Sequence, residues 1–272
     1  MNVRRSIAHV RETGRVTQSL QAHLEGVARL AGESASKLGV YLAGELIGLV
    51  HDLGKYSDEF QAYIQSATGL LNPDEDDDYV DAKEKKGKVD HSTAGAQQIW
   101  RELSKHGPAG QIVGQVLGLC VASHHSGLID CLSTNQADGV QDNFSRRMRK
   151  EELRSHADES LSKADDAIRS RITSLLGNET ILDSIRGLLH SIAKGSPEES
   201  DRSQVAQFQI GLFVRFLFSC LIDADRQDSA DFERPRVAQA RQQGAYLDWG
   251  TLVERLETHL SAFAIRHPID GG

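Results

Sequence analysis

Leu49-Val50-His51-Asp52-Leu53-Gly54-Lys55 closes an apolar run with an adjacent histidine and aspartate, then a helix-stopping glycine and a lysine. A His-Asp pair arises by chance in any long chain, so its weight comes from what the rest of the sequence offers it. His23 lies upstream on a helical apolar face. His91-Ser92 opens a later helix, His124-His125 closes another, and Asp225 sits in a further apolar run. Five histidines and two aspartates at or near apolar helix faces are costly in a core, because buried polar groups need partners. A divalent metal explains them.

Outward from this stretch the period is helical. Leu20, His23, Val27 and Leu30 recur at spacings of three and four, which puts His23 on a buried stripe. A lone histidine there reads first as a hydrogen-bonded core residue; the other histidines turn it into a candidate ligand. Tyr41 to Leu53 forms a second helix with Gly54 as its C-terminal cap. Ser57 caps a third through Phe60, Tyr63 and Ile64. Asp90 or Ser92 caps a helix reaching Leu103, and after Gly107-Pro108 an apolar helix runs to His124, ended by Ser126-Gly127. Val214, Phe218, Leu221 and Asp225 share one face of the most apolar helix, Phe208 to Asp225, with Asp223 on another face. That helix is apolar nearly all round, so both aspartates stay open as ligands. An amphipathic helix near Trp249 to Phe263 ends the pattern.

No long β-run, hairpin dipeptide or internal repeat appears, so the expected architecture is all-α, a helical bundle in one domain over residues 1–272. Residues 1–19 have no clear period and read as a peripheral segment. Residues 71–90 are acidic, then lysine-rich, and read as a solvated loop. Residues 131–144 read as a loop before a charged helix whose Arg146, Arg147, Arg149 and Lys150 make a solvated face ahead of a DNA contact.

The chain has 272 residues, 39% hydrophobic and 26% charged, as expected of a soluble globular protein. It has no uninterrupted apolar run of membrane-spanning length and no signal-like apolar segment after Met1. Cys120, Cys131 and Cys220 are scattered, reading as reduced core residues of a cytoplasmic protein. A net charge of −8 argues against coating nucleic acid by charge alone, but leaves room for an enzyme that acts on it.

Imidazole with carboxylate suits Mn, Fe, Co, Ni or Zn, with magnesium as the oxygen-preferring alternative. Seven donors exceed the needs of one ion and suit two sharing a bridging carboxylate, for which Asp52 is placed. Such a pair lowers the pKa of an attacking water and stabilises a phosphoryl group under in-line attack. His51-Asp52 and His124-His125 lie at helix C-terminal turns, where the macrodipole favours cations. Lys55 is placed to meet a phosphate oxygen, with an ordinary surface lysine as the equal alternative. Gly127 allows a substrate backbone close approach, though ending a helix also accounts for it.

The motifs His23, His51-Asp52-Leu53-Gly54-Lys55, His91-Ser92, His124-His125-Ser126-Gly127-Leu128 and Leu221-Ile222-Asp223-Ala224-Asp225 together resemble the HD superfamily of metal-dependent phosphohydrolases. The resemblance is closest to the HD nuclease domain of the CRISPR-associated type I nuclease–helicase. It implies one metal on His23, His51, Asp52 and Asp225, and a second on Asp52, His91, His124 and His125. It favours Asp225, which follows an alanine, over Asp223, and sets Ser229 one turn further on. It also implies catalytic roles for Asp52 and Lys55, and substrate contacts at Lys55, Ser126 and Gly127. The implied activity is metal-dependent cleavage of single-stranded DNA, with a helicase domain or subunit and the CRISPR surveillance (Cascade) complex as partners. No Gly-x4-Gly-Lys-Ser/Thr loop is present, so an excised nuclease domain and a stand-alone subunit are both expected forms. The alternatives are an HD phosphohydrolase of small or cyclic nucleotides, and a metal-binding docking module without turnover.

Overall fold

The computed structural model describes residues 5–11, 15–73, 76–129, 132–135, 139–194, 202–242 and 247–262. The chain divides into two compact units, residues 1–229 and 230–272. The first is a helical bundle built on α1 (Leu20–Ala35), α2 (Tyr41–Val50), α5 (Ser92–Leu103), α6 (Gly107–Ser123) and α12 (Arg202–Glu233). Ser19 caps α1, its Oγ accepting from the Ala22 amide at 3.2 Å. Leu20, Leu24, Val27, Ala28 and Ala31 then form its buried stripe, with His23 fully buried among them. α2 lies along this stripe at close range because Gly48 meets it: a Cβ there would stand 2.5 Å from the Ala28 Cα. That approach carries the end of α2, and so His51, to His23.

Shorter helices complete this unit: α3 (Asp58–Ala67), α4 (Ala82–Lys85), α7 (Asn143–Met148), α8 (Glu152–Ser155), α9 (Ala157–Lys163), α10 (Asp166–Leu176) and α11 (Glu179–Lys194). Ser57 caps α3 by accepting from the Phe60 amide at 3.3 Å. The N-cap of α5 is His91, without a side-chain cap bond; Asp90 just before it serves the first turn instead, Oδ1 accepting from the Thr93 amide at 3.1 Å and Oδ2 from its hydroxyl at 2.6 Å. The 71–90 segment carries the one-turn helix α4 and is tied down by Leu71 and Val89, both buried.

Two segments differ from expectation. Residues 1–19 are not merely peripheral: β1 (Ile7–Arg11) pairs antiparallel with β2 (Val16–Ser19), and Ala8 is buried in the core. The Gln61 side chain clamps β1 to α3, accepting from the Ile7 amide and donating to its carbonyl, each at 3.0 Å. Within the stretch expected to be a loop, β3 (Leu132–Asn135) pairs antiparallel with β4 (Gly139–Asp142). Strands of four or five residues offer too few alternations to stand out against the longer helical period. Cys131 lies outside the described residues, while Cys120 and Cys220 are free and buried.

The long helix α12 is, among the described residues, the one that meets the length and composition test for crossing a membrane, with a mean hydropathy of 1.8 within Gln204–Glu233. The absence of an uninterrupted apolar run hid this, because Arg215 and Asp223 punctuate the helix. Its buried Leu217, Leu221 and Ala224 face the bundle core. The second unit begins within the last turn of α12 and adds α13 (Pro235–Gln242) and α14 (Trp249–Ser261). α14 is capped by Asp248, which accepts from the Thr251 amide at 3.0 Å. Phe263 lies outside the described residues.

Candidate metal centre

α2 ends at Val50, so His51 occupies its C-terminal cap and Asp52 follows in a tight turn into a 3-10 segment, Leu53–Tyr56. α6 ends the same way, at Ser123, with His124 as its cap. In both cases the imidazole Nδ1 meets the carbonyl three residues back: Gly48 for His51 and Val121 for His124, each at 2.8 Å. A carbonyl only accepts, so each Nδ1 carries a proton and Nε2 is turned to the interior. His91 Nδ1 similarly meets the Val89 carbonyl at 3.2 Å.

These Nε2 atoms converge on Asp52, and its two oxygens face different partners. Oδ2 lies 3.4 Å from His23 Nε2, 3.3 Å from His51 Nε2 and 2.7 Å from Lys55 Nζ. Oδ1 lies 3.3 Å from His124 Nε2, 3.7 Å from His91 Nε2 and 3.8 Å from His125 Nε2. Asp225 Oδ1 approaches the first set, 3.5 Å from His23 and 3.7 Å from His51. Asp223 is exposed. His91 and His125 bring their Nε2 atoms within 2.5 Å of each other.

The donor set fits a divalent ion. The Nε2 atoms of His23 and His51 are buried without any hydrogen bond, an expensive state for a polar ring atom that a bound cation, replacing any proton held there, would relieve. Donors about 2.0–2.2 Å from a common ion stand roughly 3–3.6 Å from one another, close to the separations across both sets. Each set is able to hold a metal: His23, His51 and Asp52 on one side, Asp52, His91, His124 and His125 on the other.

Charge follows from this packing. Burial opposes ionisation of Asp52, yet the Lys55 ammonium and His51 hold its carboxyl well below the usual range. Burial alone depresses His51, but Asp52 and Asp225 overcome it and raise its pKa to about 10. His91, His125 and His9 lack such close pairing, and burial lowers them to about 4, 3 and 3. The unfolded chain therefore takes up protons near pH 6.5 that the native state refuses until about 4 or 3. The stability these groups give is complete above pH 6.5 and lost as pH falls. His51 has the opposite sign, contributing fully below 6.5 and losing its part only as pH rises through about 10. Denaturant midpoints of the metal-free protein should thus drop between about pH 6.5 and pH 4. His125 is half-exposed, so the effect rests on His91 and His9, and a flat profile over that interval would contradict the shielding of those two rings.

Several residues take roles that their spacing did not predict. Gly54 is not a left-handed cap; no positive φ is found there. Its amide donates to the His91 carbonyl at 3.2 Å, and a Cβ would stand 2.5 Å from the His91 Cα and oxygen. Glycine is what lets the His51-Asp52 turn touch the start of α5, where His91 is the N-cap. Lys55 is not a surface lysine: it is buried, ion-paired to Asp52 and 5.6 Å from the Phe60 ring centroid. Gly127 has φ +73° with open space around it, so the backbone turn requires it. Ser126 is exposed, its hydroxyl turned to the Gly127 carbonyl at 3.3 Å. Of the basic cluster, Arg146 and Arg149 are exposed, whereas Arg147 caps the end of α6 through the Ala122 carbonyl at 2.6 Å and Lys150 pairs with Asp90.

His9, absent from the sequence-based set, stands beside the cluster with its ring edge-on to His23 at 4.8 Å and Nε2 3.4 Å from the Ser229 hydroxyl. Asp228 was also missed, although it follows Asp225 by one helical turn. The cluster opens into a cleft of about 700 Å³ lined by Phe60, Tyr63 and Ile64, by Lys88, Arg147 and Lys150, and by His9, Lys55, His91 and His125.

A helical bundle that gathers imidazoles and carboxylates from separate helices around an adjacent His-Asp pair has the architecture of an HD-type metal-dependent hydrolase. The family model described as Cas3, HD domain matches residues 5–207. The chain belongs to that family, the metal-dependent HD hydrolases of CRISPR systems. No curated protein matches. The match stops before Asp225, so the place of that residue at the cluster rests on the fold itself.

Proposed function

We propose that this chain is a two-metal nuclease that hydrolyses phosphodiesters of single-stranded DNA during type I CRISPR interference. The observation that carries this reading is the division of Asp52: one oxygen serves His23 and His51, the other His91, His124 and His125. A single carboxylate so placed is suited to bridge two ions. His23, His51, Asp52 and Asp225 would hold one, and Asp52, His91, His124 and His125 the other. Two divalent ions supply the charge that acidifies an attacking water and steadies an in-line displacement.

The remaining steps fall to the protein. Lys55, paired with Asp52 and lining the cleft, would be the group to meet a non-bridging phosphate oxygen there. Tyr63, beside the buried Phe60, would offer an apolar wall for an unstacked base, and Lys88, with Arg147 and Lys150, would give the cleft its basic edge. Sequence-tolerant stacking with a basic groove is how single strands are held. A helicase domain or subunit and the CRISPR surveillance complex would deliver the strand, in the cytoplasm.

The test is incubation with manganese or nickel on single-stranded DNA, duplex DNA and mononucleotides. Cleavage of the single strand alone is expected. A cleft of 700 Å³ is also within the size range of small-ligand pockets. Mononucleotide hydrolysis with intact DNA would therefore install the second reading, a small-nucleotide phosphohydrolase. Metal uptake with no turnover on any phosphoester would leave a docking module. Lys55→Ala should keep both ions and lose about 10²–10³ in rate, as for loss of one charge-stabilising donor. An unchanged rate in steady-state assays would confine Lys55 to balancing Asp52.

A further inference from the structure

The histidines of the cluster differ in what holds the far side of the ring. His51, His91 and His124 each give Nδ1 to a backbone carbonyl. His23 instead gives Nδ1 to a carboxylate, Asp228 Oδ2, at 2.8 Å. That oxygen also accepts from Gln18 Nε2 at 2.8 Å, so β2, α1 and α12 meet at one carboxylate. The space for it is kept by Gly26 on α1, where a Cβ would stand 2.0 Å from Asp228 Oδ1. Nothing about α1 itself asks for glycine there, since alanine is the better helix former.

We propose that Asp228 is a positioning residue that fixes His23 as an Nε2 ligand and strengthens it, making the ion on the His23–His51 side the tighter of the two. A carboxylate behind a ligating imidazole locks tautomer and ring orientation and raises ligand basicity, and loss of such a partner costs about 10–100-fold in metal affinity. The two sides of Asp52 are unequal in the same sense. The His23 side has Asp225 at hand and Asp228 behind it, whereas among the described residues the carboxylate paired with His91, His124 and His125 is Asp52.

This inference rests on the two-metal reading, and its test separates the two. Calorimetric titration of the full chain with Mn(II) alone should resolve a tight and a weak ion. Asp228→Ala should weaken the tight one by about 10–100-fold and leave the weak one as it was. Asp228→Asn, which retains an acceptor without the charge, should fall between alanine and wild type. Gly26→Ala, which pushes the carboxylate aside, should weaken the same ion. Wild-type affinities for both ions in Asp228→Ala, or equal losses at both, would overturn the proposal. Should alanine not fold, the asparagine variant decides on the same two affinities. Ring ¹⁵N shifts of His23 in the metal-free protein give an arm independent of ion uptake: a protonated Nδ1 in wild type, lost or mixed in Asp228→Ala. An unchanged tautomer there also overturns it. A wild type that binds a single ion contradicts the two-metal reading, while the tautomer still decides the role of Asp228.

Discussion

Asp52→Ala is expected to release both ions and to reduce DNA cleavage by at least about 10²–10³, the loss typical of one transition-state donor. Asp52 is the one residue shared by both donor sets. Its removal leaves the imidazoles at their helix ends but takes away the oxygens lying between them. A further cost appears before any metal is added. Lys55 and His51 balance a fully buried carboxylate, and deleting one partner of such a group costs up to about 3–5 kcal/mol. Asp52→Asn separates the effects, because the amide keeps the shape and much of the stability while a neutral oxygen is a poor bridge. Metal content and denaturant midpoint measured on both variants check this. Full metal content in the alanine variant would refute the bridging role.

Gly54→Ala should be nearly as damaging, though it removes no ligand. The added methyl would stand 2.5 Å from both the Cα and the carbonyl oxygen of His91. The clash is with backbone on both sides, so no side-chain rotation relieves it. The 3-10 turn and the start of α5 must part, losing the Gly54 amide bond to the His91 carbonyl. Overpacking of this kind costs about 1–3 kcal/mol. The displacement falls on His91, so the ion on the His91–His124–His125 side should be weakened while the other is held. A thermal melt with metal titration reads both effects. Wild-type stability and both affinities intact would show that the contact is looser than the geometry implies.

The helices that carry the cluster were legible because each spans several turns, and burial of one stripe imposes the 3.6 period on its sequence. The same kind of stripe placed His23 inward and grouped Asp225 with Val214, Phe218 and Leu221 while leaving Asp223 open; the structure brings His23 to Asp52, and Asp225 to His23 and His51. What was illegible depended on contacts between distant segments. The hairpin bearing His9 is short, and only its clamp to Gln61 and its packing on α1 show that it belongs to the site. The purpose of Gly54 lies in its distance from His91, thirty-seven positions away in the chain. The burial of Lys55 follows from Asp52 and Phe60 closing over it. Asp228 alone had a usable signal, the i+3 spacing from Asp225 that puts both carboxylates on one helix face.

The central claim is that Asp52 bridges two ions. Metal per chain, measured by elemental analysis after saturation with Mn(II) and removal of excess, tests it most directly. Two ions per chain in the wild type and none in Asp52→Ala are predicted. A wild type that saturates at one ion, or an Asp52→Ala variant that retains two, would contradict it.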